Sequence, residues 1–199
     1  MNLINLLRSA TGELHKRLDS SPWVEVATTS REGYADYLQR FQSGFLKCEL
    51  QVDWHAMEQL RIPDGGMRRG RYERLANDLV ALGRPKRGKR DPDGAGSATP
   101  GSSVGSLYVL EGSIHGGKHM LAALEKKVGE ISEEESGFFR GFGERTAGSW
   151  REFVNWLDHL AFDENFEKEA TAAAVRSFEY FIDALEVPGS TTSTPSPLA

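Results

Sequence analysis

Apolar residues recur at steps of three and four along most of this chain, the spacing that lines up side chains on one face of an α-helix. The first such stripe consists of Leu3, Leu6, Leu7, Ala10, Leu14 and Leu18. It predicts an amphipathic helix that ends near Asp19, because the stretch Ser20-Ser-Pro22 follows directly. The alternating pattern of β-strands is scarce in the chain, so the sequence favours an all-α fold.

The same periodicity predicts six further helices. Their ranges are about 31–55, 72–82, 103–128, 132 onward, 146–161 and 165–185. The run Ser132-Glu-Glu-Glu has the form of a capping box, which supports a helix start there. Residues 84–103 carry glycine, proline and a basic cluster, and they predict a flexible loop that is either a solvated connector or a docking point for an acidic partner. We expect one helical domain over residues 1–187 and a disordered Ser-, Thr- and Pro-containing tail over 188–199.

The composition excludes several classes of function. The net charge of −5 argues against general nucleic-acid binding, and no apolar run approaches the roughly 20 residues of a membrane span. The N-terminus lacks a signal-peptide pattern, so we expect a cytoplasmic protein. Cys48 is the single cysteine, which excludes a disulfide within the chain, and its neighbours Phe45, Leu46 and Leu50 predict a buried position.

Four glycines interrupt the helix predicted over residues 103–128, namely Gly105, Gly112, Gly116 and Gly117. Each glycine inside a helix costs roughly 0.5–1 kcal/mol relative to alanine. Gly112 and Gly116 share a face, and Gly105 lies two turns earlier on the same stripe. A face without side chains presents bare backbone, so it suits either close packing of another helix or contact with a flat ligand.

Three histidines are candidates for chemistry. His15 flanks the apolar stripe of the first helix, beside Thr11 and with Arg8 two turns earlier, where a neutral imidazole could ligate a metal or simply be partly exposed. His115 and His119 are four residues apart, a spacing that can present two imidazoles to one metal ion. No third ligand of suitable spacing accompanies them, so we expect one to border a pocket and the other to be solvated.

Three segments of the chain resemble the heme oxygenase family, especially its bacterial, phytochrome-associated members. The segment Leu107-Tyr-Val-Leu-Glu-Gly-Ser-Ile-His-Gly-Gly117 is similar to the family's distal helix. The segment Leu7-Arg-Ser-Ala-Thr-Gly-Glu-Leu-His-Lys-Arg-Leu-Asp19 is similar to its proximal helix, which supplies the histidine ligand of the heme iron. The later segment Trp150-Arg-Glu-Phe-Val-Asn-Trp-Leu-Asp158 is similar to the helix that reaches the heme propionates. The resemblance covers about residues 3–186.

The resemblance implies an all-α heme oxygenase-like fold, with heme between the first helix and a kinked, glycine-rich distal helix. It makes His15 the metal ligand and lets the backbone at Gly112 and Gly116 approach the porphyrin. Arg8 and Arg151 match basic positions that pair with the propionates. The residues implied to bind heme are Arg8, Thr11, His15, Tyr108, Gly112, Gly116, Gly117 and Arg151, and those implied to act in catalysis are Gly112, Ser113 and Gly116.

The implied reaction is oxidative opening of heme, which serves as both substrate and cofactor. The products are biliverdin, with the IX-α isomer expected, carbon monoxide and ferrous iron. The reaction consumes O2 and electrons, for which a ferredoxin or a flavodoxin with its reductase is the expected donor. A bacteriophytochrome is a candidate acceptor of the biliverdin, and neither nucleic acid nor membrane is expected as a partner.

The chain departs from the family pattern directly after Gly112. Many family members have there an acidic residue that orders a proton-delivering water, whereas this chain has Ser113. We expect backbone carbonyls, Ser113 and ordered water to supply the proton route instead. His115 also keeps open a distal iron ligation that would block oxygen, and with it a heme carrier or sensor without catalysis. A further alternative is a helical domain of this fold that binds another small ligand or a non-heme metal.

Overall fold

The computed structural model of the chain describes residues 2–85 and 98–186, and every regular element in these ranges is helical. This confirms the all-α fold class. The helices are α1 (Leu3–Asp19), α2 (Pro22–Ala27), α3 (Arg31–Glu49), α4 (Trp54–Gln59), α5 (Gly65–Arg69), α6 (Arg71–Ala81), α7 (Pro100–Val128), α8 (Glu133–Arg140), α9 (Thr146–His159) and α10 (Glu164–Glu186). A 3₁₀ turn at Gly143–Arg145 precedes α9.

Capping side chains explain where several helices begin. The helix predicted over residues 31–55 is in fact two helices, because Asp53 starts α4 by accepting a hydrogen bond from the Ala56 N–H at 3.0 Å. The Asp53 N–H in turn donates to the Ser103 hydroxyl at 2.9 Å, which fixes the break against α7. Thr99 caps α7, so this helix begins at Pro100 rather than at the predicted residue 103.

Two predicted helix boundaries agree with the structure. α1 ends at Asp19, and Ser21 then caps the short α2, which has proline at its first position. The capping box at the start of α8 is present: the Glu135 N–H donates to the Ser132 hydroxyl at 3.3 Å, and the Ser132 N–H donates to the Glu135 carboxylate at 3.2 Å. The short helices α2 and α5 were not predicted, because one or two turns leave too few positions for a periodic pattern.

Parts of two predicted segments lie outside the described residues, namely 86–97 of the basic loop and all of the tail over 188–199. Within the ranges that are described, no helix is both long and apolar enough to cross a membrane. Cys48 is buried as predicted, and its thiol donates to the Ser177 carbonyl at 3.5 Å. Burial raises the pKa of this thiol to about 12, so Cys48 is a structural residue and not a nucleophile.

The interrupting glycines of α7 fall into two groups: Gly105 and Gly117 are closely packed, whereas Gly112 and Gly116 border open space. A Cβ atom at Gly105 would overlap the carbonyl oxygen of Ala170 on α10, and one at Gly117 would overlap the ring of Phe139 on α8. A Cβ atom at Gly112 would meet nothing within 4 Å, and the same holds at Gly116. The two explanations of the stripe therefore apply to different glycines: close helix packing to Gly105, and open space to Gly112 and Gly116.

We predict that Gly105→Ala destabilises the ligand-free protein. The new methyl group would meet backbone of another helix, which cannot rotate away, and overpacking of this kind costs about 1–3 kcal/mol or more. That cost exceeds the gain of up to about 1 kcal/mol from replacing a helical glycine by alanine. The matched control is Gly112→Ala, where the methyl group enters open space and only the gain in helix stability is expected. Urea unfolding measures both, and a Gly105→Ala variant as stable as the wild type would contradict the close-packing explanation.

Candidate functional site

A cavity of about 310 Å³ lies among α1, α3, α7, α9 and α10. Much of its wall is aromatic, with contributions from Tyr37, Phe41, Tyr108, Trp150, Phe178 and Phe181. Its volume falls at the lower end of the range for small-molecule sites, which are apolar with a few polar groups that fix the ligand's orientation. The cavity therefore suits a mainly apolar ligand.

The structure brings most of the predicted site residues to this cavity. Those that line it are His15, Tyr108, Gly112, Ser113, Gly116 and Gly117. Three others do not line it. Thr11 is buried in α1, and its hydroxyl donates to the Leu7 carbonyl at 2.8 Å. Arg8 on α1 and Arg151 on α9 are exposed.

His15 lines the cavity although much of its side chain is exposed, at 62%. Its Nδ1 atom lies 2.9 Å from an Asp19 carboxylate oxygen, and its ring centroid lies 5.8 Å from that of Phe178. A carboxylate on Nδ1 favours the tautomer with the proton on that nitrogen, which leaves the Nε2 lone pair available. A carboxylate on one ring nitrogen and a free lone pair on the other is a common arrangement in histidines that ligate metals.

Gly112 and Gly116 form the open face of α7 at the cavity. Because no atom would lie within 4 Å of a Cβ at either position, the space beside them belongs to the cavity. Side chains there would fill the volume that a ligand needs. The helix is continuous through both glycines, so it presents backbone directly to that volume.

Ser113 lines the cavity with a hydroxyl that is already hydrogen-bonded. It donates to the Leu110 carbonyl at 2.6 Å and accepts from Arg71 Nη2 at 3.2 Å. Its proton is therefore directed at the backbone of α7. Arg71 holds the hydroxyl in place from α6.

A buried ionic network lies directly behind this wall of the cavity. Arg68 of α5 pairs with Glu111 and donates to the Ser149 hydroxyl at 3.0 Å. Arg71 donates to the Leu110 carbonyl at 2.5 Å, and its Nη1 atom lies 3.4 Å from Glu111. Burial lowers the pKa of Arg71, and the neighbouring Glu111 carboxylate opposes that shift. The network ties α7 to α5, α6 and α9.

Sequence reasoning missed this network. The one feature of the sequence that indicates it is Glu111, a carboxylate within an apolar run. A charged residue is rarely buried unless it is paired, so this position indicates a buried partner of opposite charge. The partners Arg68 and Arg71 lie about 40 positions earlier in the chain, and nothing in the periodicity links them to Glu111.

His115 borders the cavity as a half-buried side chain, whereas His119 is exposed. The His115 ring packs edge-to-face on Trp150, with ring centroids 5.1 Å apart. Burial lowers the pKa of His115, and Lys118 and His119 lower it further. Among the described residues no group of three or more histidine, cysteine, aspartate or glutamate side chains could hold a metal ion.

Comparisons with known proteins agree on the kind of fold that surrounds this cavity. The chain is 28% identical over 191 residues to heme oxygenase PigA of Pseudomonas aeruginosa, which covers 92% of this chain and 89% of that protein. The NO- and CO-bound heme oxygenase of Neisseria meningitidis superimposes with a TM-score of 0.72 at 22% identity, covering 93% of this chain and 90% of that one. The heme oxygenase of Leptospira interrogans gives a TM-score of 0.68 at 17% identity, with 93% and 98% covered.

The family model described as heme oxygenase matches residues 1–187. That match includes all the described residues, and with them His15, the glycine face of α7 and the aromatic wall. The chain belongs to the heme oxygenase family.

Proposed function

We propose that this protein is a heme-degrading oxygenase that opens heme to biliverdin, carbon monoxide and ferrous iron. The observation that carries the proposal is one cavity lined both by His15, with Asp19 on its Nδ1, and by the bare backbone at Gly112 and Gly116. The histidine suits an iron ligand and the bare face suits a flat macrocycle. A helix packed into that face would explain the glycines without explaining the cavity.

The residues present fit a heme group. His15 Nε2 would hold the iron, and Asp19 would fix the orientation of the ring through its contact with Nδ1. Phe178 and Phe181 of α10 and Phe41 of α3 would cover apolar parts of the macrocycle and exclude water. When bound, heme supplies both the iron that activates O2 and the carbon that is oxidised.

The glycine face would set which part of the ring is attacked. Backbone close to a bound macrocycle at Gly112 and Gly116 would leave room for a small molecule over only part of the ring. That restriction supports a single product isomer, for which we propose biliverdin IX-α. Heme rotation about its own axis would be fixed separately, by its propionates.

The propionates are proposed to pair with cations at the rim of the cavity. No lysine or arginine is among the cavity-lining residues in the described part of the chain. Arg8 and Arg151 are exposed on the neighbouring helices α1 and α9, and within the described ranges neither forms an ion pair with a carboxylate. Charge-assisted pairing with a carboxylate at that rim is the role we propose for both.

Electron supply and product transfer complete the proposal. We propose a ferredoxin or a flavodoxin with its reductase as electron donor, and a bacteriophytochrome as a candidate acceptor of biliverdin. A second candidate function is a heme carrier or sensor without catalysis. It is favoured by the replacement of the acidic distal residue by Ser113 and by the unpaired Nε2 atom of His115.

Hemin titration followed by aerobic reduction tests the function. We expect a stoichiometric heme complex with a Soret band and, after ascorbate and catalase are added in air, biliverdin absorbance together with carbon monoxide. Chromatography of the bilin identifies the isomer. A heme complex that stays intact under these conditions would favour the carrier, and absence of a Soret band would exclude both.

A further inference from the structure

The polar side chains that line the cavity differ in whether their polar atoms are already hydrogen-bonded. The Ser113 hydroxyl donates its proton to the Leu110 carbonyl, and the His15 Nδ1 atom is paired with the Asp19 carboxylate. The Nε2 atom of His115 is buried and has no hydrogen-bond partner among the described residues. A buried polar atom left unpaired is costly, so a native structure that keeps one calls for an explanation.

The position of His115 on α7 places it beside the open face and not on it. It follows Gly112 by three residues, so at about 100° per residue the two positions lie about 60° apart around the helix axis. The edge-to-face contact with Trp150, at 5.1 Å between centroids, holds the ring on that flank. A side chain there borders the space over the glycines without filling it.

The charge state of His115 suits a hydrogen bond to a small ligand. Its surroundings favour the neutral imidazole, because burial lowers its pKa and the neighbouring Lys118 and His119 side chains lower it further, whereas Glu111 raises it. Glu111 is itself paired with Arg68. A neutral imidazole has one N–H donor and one lone pair, so it can donate without bringing a second positive charge next to a metal ion.

We propose that His115 is a further residue of the ligand site, whose Nε2–H donates a hydrogen bond to the small molecule at the iron position opposite His15. The inference rests on the proposed heme binding. His115 would give the site a hydrogen-bond donor beside the glycine face, because the only proton of the Ser113 hydroxyl is already donated to the Leu110 carbonyl. His115 would thereby hold and orient the small ligand over one side of the ring.

Fluoride binding to the ferric heme complex tests the proposal, because fluoride only accepts hydrogen bonds. We expect His115→Leu to weaken fluoride binding by about tenfold or more, the effect of one lost hydrogen bond to a charged acceptor. The matched control is His119→Leu, which removes an exposed histidine one turn along the same helix and should bind fluoride like the wild type. His115→Gln keeps an N–H donor and should retain part of the affinity.

A second readout is the C–O stretching frequency of the ferrous carbon monoxide complex. Removal of a donor should raise this frequency in His115→Leu and leave it unchanged in His119→Leu. Equal fluoride affinity in the wild type and in His115→Leu would overturn the proposal while heme binding stands. A ferric wild-type complex that is low-spin without added ligand, and high-spin in His115→Leu, would overturn it by showing direct iron ligation. Absence of any heme complex would overturn it together with the proposed function.

Discussion

Replacement of His15 by alanine is expected to remove the proposed iron ligand and to lower the proposed heme turnover by at least about 100-fold. Loss of the partner of a metal ligand alone typically costs roughly 10–100-fold in affinity or activity, so loss of the ligand itself should exceed that range. The ferric spectrum should lose its imidazole character. Optical and electron paramagnetic resonance spectra of the hemin complex measure this directly.

Two further measurements separate ligation from a merely structural role. His15 is exposed and its replacement leaves the core intact, so the ligand-free variant should unfold at nearly the wild-type denaturant concentration. Added imidazole should enter the space left by the side chain and restore the ferric spectrum. An unchanged spectrum in His15→Ala would mean that another residue ligates the iron.

Replacement of Asp19 tests the same proposed ligation with a smaller expected effect. Asp19→Asn keeps the size of the side chain but removes the carboxylate that pairs with His15 Nδ1 at 2.9 Å. That carboxylate favours the His15 tautomer that carries its proton on Nδ1. Its loss should lower heme affinity by roughly 10–100-fold, which is less than the loss expected for His15→Ala.

Much of the fold and part of the site could be predicted from the sequence, because both leave local patterns. Helices such as α1 and α10 appear as apolar stripes, and the capping box at Ser132 marks the start of α8. The bare face at Gly112 and Gly116 appears as glycines at helical spacing. That spacing alone could not separate Gly105 from the other two, because which glycine meets α10 depends on how two distant helices cross.

The unpredicted features depend on contacts between segments far apart in the chain. Arg68 and Glu111 are separated by 43 positions, and no local pattern pairs them. The same holds for the break at Asp53, which the Ser103 hydroxyl supports across 50 positions. Long-range polar contacts of this kind become visible only when the packing of the helices is known.

Replacement of Glu111 by glutamine is expected to lower the free energy of unfolding by about 3–5 kcal/mol, the usual cost of removing one partner of a buried ion pair. Glu111 is 2% exposed and faces two guanidinium groups, so the variant leaves the charges of Arg68 and Arg71 buried without their carboxylate. The matched control is Glu164→Gln, which breaks an exposed pair with Lys168 one turn along α10 and should cost less than about 1 kcal/mol.

The same variant connects the stability of the fold to the cavity. Glu111 directly precedes Gly112, and its partner Arg71 holds the Ser113 hydroxyl at 3.2 Å, so loosening the network should loosen this stretch of α7. Hydrogen exchange of the α7 amides should therefore accelerate in Glu111→Gln around Gly112 more than near Leu124. Urea unfolding supplies the free energy, and equal stability of Glu111→Gln and Glu164→Gln would show that the buried network does not anchor the helix.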